Sequence, residues 1–268
     1  MIKNLGCKLK PCKMKTLVSI TILIFSTQIY ANCSGAPIKF WPKEKTINRN
    51  SIIMIEGDMN PYILNELNNN YPIYLNSSNH KVKLLVQEIL IGEYYTAQVI
   101  LRPEEELIIG QTYHLYSDSL SDNDILLKKR NPTTLKMKPV SWMVDWEAID
   151  TIRPAFTSTP IEIKKILDCY SSSCGEEIRV VFNADVEDQS EILVKTTVRD
   201  KKKNKTATFY LVRKRDRVAV GHGICYGAFN IKRGGEYEVE FSLIDASGNV
   251  SIETISKIAF SVPLDVKE

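Results

Sequence analysis

Past residue 31, apolar side chains recur at every second position. The clearest run is Tyr237, Val239, Phe241 and Leu243, with Glu236, Glu238 and Glu240 interleaved. Strict alternation sends the two sets to opposite faces of a pleated strand, so the first four are predicted to be buried and the glutamates wet. Burial of four such side chains is worth several kcal/mol, at about 1.5–3 kcal/mol each. Shorter versions follow the same rule: Ile178, Val180 and Phe182; Ile192, Val194, Thr196 and Val198; then Thr206–Val212, Arg217–Val220 and Ile255–Val262. In the first half, Ser51–Gly57, Tyr71–Leu75, Lys81–Ile91, Tyr94–Leu101 and Thr112–Tyr116 read as strands. The last of these puts Tyr113 and Leu115 on one face and His114 on the other. Pro61–Asn70 is mostly polar and reads as a helical turn or a loop. Asn76–Asn79, Arg102-Pro103, Gly234-Gly235 and Asp245–Asn249 are turn material. No segment sustains a helical period.

The pattern predicts an all-β chain. Two tandem antiparallel β-sandwiches are expected, at residues 32–140 and 156–268, with 141–155 as a linker. The region 121–152 is read as a last strand plus the connection.

The first 31 residues read differently. They hold Lys3, Lys8, Lys10, Lys13 and Lys15 and no Asp or Glu; an apolar run, Leu17–Phe25, follows and ends at Tyr30-Ala31. This is the layout of a signal peptide, with cleavage after Ala31 and a secreted or periplasmic destination. Met14 offers an alternative start. An uncleaved anchor is disfavoured by the shortness of the run, and lipidation at Cys33 by Asn32 and Tyr30 before it. Cleavage changes the charge: the whole chain is +3, the remaining 237 residues −2. The basic balance is therefore partly a property of the leader and gives no argument for nucleic acid. No later run is long enough to span a bilayer as a helix.

Processing leaves Cys33, Cys169, Cys174 and Cys225, an even number in an exported chain, which favours disulfides. A local Cys169–Cys174 pair is preferred, leaving Cys33 with Cys225 across the domains; the pairings of Cys225 with Cys169 or Cys174 stay open. His222 near Cys225 has no second close pair, so zinc is not expected.

Gly235-x-Tyr237-x-Val239-x-Phe241-x-Leu243-x-Asp245-Ala246-Ser247-Gly248-Asn249 resembles the closing hairpin of bacterial immunoglobulin-like and fibronectin-III-like domains. Val99-Ile100-Leu101-x-Pro103, Leu107, Gly110 and Tyr113-His114-Leu115 resemble another bacterial immunoglobulin-like pattern. Together they cover about 25 residues. The resemblance implies Ig-like sandwiches of an exported bacterial protein. It says little about function, because such sandwiches serve as adhesins, spacers, chaperones and accessory modules of enzymes.

Candidate chemistry is sparse. His80, His114 and His222 have no adjacent nucleophile and orienting group, and Ser171–Ser173 lacks a nucleophile elbow. Glu104–Glu106 reads as a solvated turn. Calcium ligation at Asp122/Asp124 or around Asp245 lacks EF-hand spacing. Lys201, Lys202, Lys203 and Lys205, and Arg213, Lys214, Arg215 and Arg217, flank one predicted strand. They read as solvated loop tips or as contacts for an anionic partner such as an envelope polymer. Trp142 and Trp146 are expected to wedge the interface between the domains. The expectation is a non-enzymatic envelope protein that acts by binding or as a structural element, without a cofactor; the partner is an unidentified protein or envelope polymer. A periplasmic two-domain chaperone is the alternative, weakened by the absence of a paired basic anchor.

Overall fold

The computed structural model describes residues 38–264 except 59–61, 122–123, 132, 146–148, 170–174 and 189. The leader, Cys33, Cys174, Trp146, Asp122 and Ser171–Ser173 lie outside the described residues, as does the side chain of Cys169.

The chain is almost entirely strand. The first half contains β1 (Lys39–Trp41), β2 (Thr46–Ile47), β3 (Ile53–Asp58), β4 (Tyr74–Asn76), β5 (Lys81–Ile91), β6 (Thr96–Pro103), β7 (Thr112–Tyr116), β8 (Lys128–Arg130), β9 (Met137–Pro139) and β10 (Ser141–Val144). The second half contains β11 (Ala155–Phe156), β12 (Ile161–Cys169), β13 (Glu176–Asn183), β14 (Val186–Glu187), β15 (Ile192–Asp200), β16 (Lys205–Val212), β17 (Arg217–His222), β18 (Glu236–Asp245) and β19 (Ile255–Ser261). One helical turn, Tyr62–Asn65, occupies the polar stretch between β3 and β4.

In the first half the strands run in the order β1-β3-β6-β5-β4-β7-β10-β2. β5 links the two layers: Lys81–Lys83 pair with β4, and Leu84–Ile91 pair with β6. Every pairing here is antiparallel except β10 with β2. Ile53, Ile55, Val82, Leu84, Val99, Leu101, Tyr113 and Leu115 close on one another as the core.

The second half is a three-stranded sheet, β12-β13-β17, facing a four-stranded sheet, β16-β15-β18-β19. All their pairings are antiparallel, a three-plus-four immunoglobulin-like sandwich. The alternation holds as read: Tyr237, Val239, Phe241 and Leu243 are buried against Ile178, Val180 and Phe182. Phe182 meets Phe241 edge to face at 5.3 Å, the arrangement that aromatic quadrupoles prefer.

Two details differ from the sequence reading. Residues 141–144, expected to open the linker, are β10, and Trp142 is a core residue of the first half. Its indole N–H donates to the Pro42 carbonyl at 3.0 Å, so it does not wedge the two halves. β12 had no reading as a strand. Its register shifts between Glu162 and Lys164, a bulge that breaks the period, and Ile161 and Ile163 are exposed.

A third apolar cluster joins the halves. Trp41, Ile52, Met54 and Ile100 pack on Leu193, Tyr210, Ile244 and Ala246. It arises because β3, β6 and β15 are apolar on both faces. Ile53, Ile55, Val99 and Leu101 point into the first core, and Met54 and Ile100 point out of it. In β15, Ile192 and Val194 face the second core while Leu193 faces the seam.

Candidate functional site

At the centre of the seam, the side chain of Gln98 stands in for a neighbouring strand. Its Nε2 donates to the Tyr210 carbonyl at 2.7 Å, and its Oε1 accepts from the Tyr210 N–H at 2.9 Å. Glu88 accepts from Lys195 Nζ at 2.9 Å and from the Tyr210 hydroxyl at 2.8 Å. Burial, then the Glu88 carboxylate, push the Tyr210 phenol well above its ordinary pKa. At the far end, Tyr94 and Gly227 exchange backbone hydrogen bonds of 3.1 and 2.9 Å, and Glu93 N–H donates to Ala228 O at 2.8 Å. Gly227 permits this approach, since a Cβ there would fall 2.4 Å from the Cα of His222. Tyr94 stacks on His222 with ring centroids 4.7 Å apart. His222 is buried between the Gly223 and Ile231 carbonyls, a structural placement.

The opposite end of the seam is polar and open. A cleft of about 860 Å³ lies between Asn48 and Ser51 of the first half, the connecting segment around Asp150, and Asp188, Ser190 and Ala246 of the second. Ala246 brings the turn Asp245–Asn249 to one wall. Asp245 Oδ1 accepts from the N–H groups of Ser247 and Asn249, both at 2.8 Å, and Oδ2 accepts from Asn249 Nδ2 at 2.8 Å. The turn needs Gly248: its φ is +83°, and a Cβ would meet the Arg102 guanidinium at 2.3 Å. Ala246 O accepts from Ile52 N–H at 2.8 Å, and Ser247 Oγ accepts from Asn48 Nδ2 at 3.1 Å, so this turn also docks the halves.

Carboxylate oxygens of Asp150, Asp188 and Asp245 converge beside the cleft, all within 4.8 Å of one another, and those of Asp150 accept from the Ile152 N–H at 2.9 Å and the Ser247 hydroxyl at 3.4 Å. Unit charges about 5 Å apart repel by roughly 3 kcal/mol at an effective dielectric of about 20. Asp245 is fully buried, and its carboxyl is pushed up to about 6, first by desolvation, with the charge of Asp150 adding to it. Asp188 Oδ1 accepts from the N–H and hydroxyl of Ser190 at 2.6 and 2.8 Å, but its Oδ2 is buried and accepts nothing. Asn50 Oδ1 is likewise buried and unpartnered, while its Nδ2 donates to the Asp150 carbonyl at 3.0 Å. Asp150 and Asp188 are distant in sequence and carry no motif of their own; Asp245 reads from the sequence as a turn residue and a candidate calcium ligand.

The two basic clusters sit at opposite ends of β16, as the antiparallel reading required. Lys201–Asn204 form the β15–β16 turn and Arg213–Asp216 the β16–β17 turn. Several are already engaged: Lys203 with Asp200 at 3.0 Å, Lys205 with Glu93 at 3.0 Å, and Arg217 with Asp216 at 3.6 Å. Arg213 donates to the Ala184 carbonyl at 3.3 Å. The ammonium groups of Lys201 and Lys202 have no ion pair among the described residues, and both side chains are exposed. His80 contacts the Tyr113 hydroxyl at 2.7 Å and Glu105 at 3.2 Å, while His114 is exposed. Cys225 is disulfide-bonded, its partner lying outside the described side chains. No helix among the described residues is long and apolar enough to cross a membrane.

The fold defines the class: an all-β chain with an immunoglobulin-like sandwich. No protein-family profile and no curated protein matches the sequence. Among solved structures, 81% of the chain aligns with 24% of a type I pullulanase from Bacillus subtilis complexed with maltose, at 11% identity and a TM-score of 0.23. The tandem Ig repeats of Dlar align over 84% of this chain and 97% of theirs, at 11% identity and a TM-score of 0.22. A cytokine receptor complex aligns over 85% and 98%, at 8% identity and a TM-score of 0.26. The chain thus spans about a quarter of the pullulanase's length. At such TM-scores these likenesses carry no argument, and the fold rests on the strand pairings themselves.

Proposed function

We propose that this is an exported cell-envelope protein that acts by binding, or as a structural element, through two immunoglobulin-like domains, the first extended through β10 to Val144 and the second at residues 156–268. The observation that carries the reading is the seam. An apolar cluster, the Gln98–Tyr210 pairing and the Tyr94–Gly227 bridge hold the two halves at a fixed angle. A fixed angle presents loop tips and edge strands as one rigid surface, and a preorganised surface loses less ordering free energy on binding. The Lys201-Lys202 tip supplies accessible positive charge for an anionic partner. The position of Gly175, whose Cβ would lie 3.2 Å from the Ile224 carbonyl, favours Cys225 pairing at the β12–β13 end of the sandwich.

Fractionation with intact-mass analysis tests export: mature protein starting at Asn32 outside the cytoplasm is expected, and a full-length cytoplasmic chain would overturn it. Crosslinking in cells then tests the role. A small set of envelope partners is expected. A single unassembled subunit captured in equal amount would replace the reading with that of a chaperone.

A further inference from the structure

The β8–β9 hairpin concentrates positive charge that the rest of the chain leaves unanswered. Its two strands pair only with each other. From Lys128 to Pro139 it carries Lys128, Lys129, Arg130, Lys136 and Lys138 and no Asp or Glu. Lys129 lies directly opposite Lys138, a like-charge pairing that weakens a hairpin. Burial, then the charge of Lys45, hold the Lys129 ammonium below its ordinary pKa. Lys129, Arg130, Lys136 and Lys138 form no ion pair among the described residues. The turn adds an apolar tip. Asn131 Oδ1 accepts from the N–H groups of Thr133 and Thr134 at 3.0 and 2.9 Å, and Asn131 O accepts from Leu135 N–H at 2.9 Å. These bonds hold Leu135 at a φ of +57°, which a bulky residue rarely adopts. Yet Leu135 is 59% exposed, and Met137, opposite Arg130, is 44% exposed. Packing within the chain therefore offsets little of the strain at Leu135, and strained residues of this kind gather where a ligand is held.

We propose that the β8–β9 hairpin docks on an anionic lipid surface, its lysines and Arg130 at the headgroups and Leu135 and Met137 at the edge of the acyl chains. Charge complementarity selects the sign of the surface: each Lys or Arg brought near an anionic leaflet strengthens attachment about fivefold. The apolar tip selects lipid over a soluble polymer. Leu and Met gain from contact with acyl chains, whereas a hydrated anionic polymer gives them nothing to bury against. Cations flanking exposed apolar side chains are the arrangement of an interfacial anchor. Two shallow apolar residues do not hold a protein on a bilayer by themselves, so the attachment is reversible and sensitive to salt. This surface belongs to the first half and is separate from the Lys201-Lys202 tip of the second.

The test uses the mature chain from Asn32, because the apolar run Leu17–Phe25 would itself take up lipid. It is sedimented with vesicles of phosphatidylcholine mixed with phosphatidylglycerol, and with vesicles of phosphatidylcholine alone. Attachment to the first and not the second is expected, with release at about 1 M salt. Lys129→Gln combined with Lys138→Gln should weaken attachment at least about tenfold and melt no lower than the parent, because a like-charge pair has gone. Leu135→Asn places a residue that accepts positive φ. It should also melt no lower, while attaching at least about threefold more weakly. Lys201→Ala with Lys202→Ala should attach as the parent does. Absence of attachment to the phosphatidylglycerol vesicles at low salt, equal attachment to phosphatidylcholine alone, or undiminished attachment of the double glutamine variant overturns the proposal. So does release by soluble dextran sulfate together with full attachment of Leu135→Asn, which would make the hairpin a reader of charge alone. None of these outcomes bears on the partners crosslinked in cells, so the binding role proposed above stands or falls separately.

Discussion

The middle of the seam and its acidic end lie side by side and are finished in opposite ways. In the middle, apolar faces meet, and the polar groups that enter are answered by protein: Gln98 by the Tyr210 backbone, Glu88 by Lys195 and the Tyr210 hydroxyl. Among the described residues the exception there is the indole N–H of Trp41, which is buried without an acceptor. At the acidic end, three carboxylates face one another and two acceptors have no donor. The first surface answers almost all of its polar groups with opposite charge or backbone; the second sets like charges side by side. A contact of the first kind favours one angle between the halves, while one of the second kind costs repulsion wherever it is made.

The sharpest way to break the contrast is Trp41→Ala in the apolar part. Trp41 is 1% exposed, and its truncation should cost about 3–5 kcal/mol in urea unfolding; a loss below about 1 kcal/mol would show that the seam contributes little. Gln98→Ala should follow, at about 2–4 kcal/mol, since both the N–H and C=O of Tyr210 lose their partner in a buried place. If water replaces the amide, the loss shrinks below about 1 kcal/mol and the seam is wetter than drawn. Gly248→Ala tests the turn beside the cleft. Its positive φ and the nearby Arg102 predict about 1–3 kcal/mol, read from thermal melting; an unchanged Tm would show that the turn tolerates a side chain there. The smallest effect belongs to Lys201→Ala with Lys202→Ala, within about 0.5 kcal/mol in stability. The same pair should weaken retention on an anionic polymer at low salt, and unchanged retention removes the tip from the binding surface.

Much of the fold was legible because alternation is a local signal. Tyr237 to Leu243 needed only the residues between them, and each was found buried. The seam was hidden in a subtler pattern. Ile52–Ile55, Val99–Leu101 and Ile192–Val194 are continuous apolar runs, the mark of strands covered on both faces, and they were read as ordinary strands. The interface was assigned instead to Trp142, whose size says that it is buried but not in which layer. β12 escapes the pattern because a bulge breaks its period and Ile161 and Ile163 face solvent. The acidic cluster was the least legible part. Asp150, Asp188 and Asp245 share no spacing, and only the folded chain brings them together.

The Gln98 amide has one more consequence. β16 ends its sheet, so its outward backbone groups would otherwise offer a template for any extended peptide, including another copy of this chain. At Tyr210 that template is occupied by a side chain that cannot continue as a strand. The molecule therefore carries its own stopper on this margin, and lateral growth by strand addition is left to the other sheet ends, β12, β17 and β19 in the second half and β1 and β2 in the first.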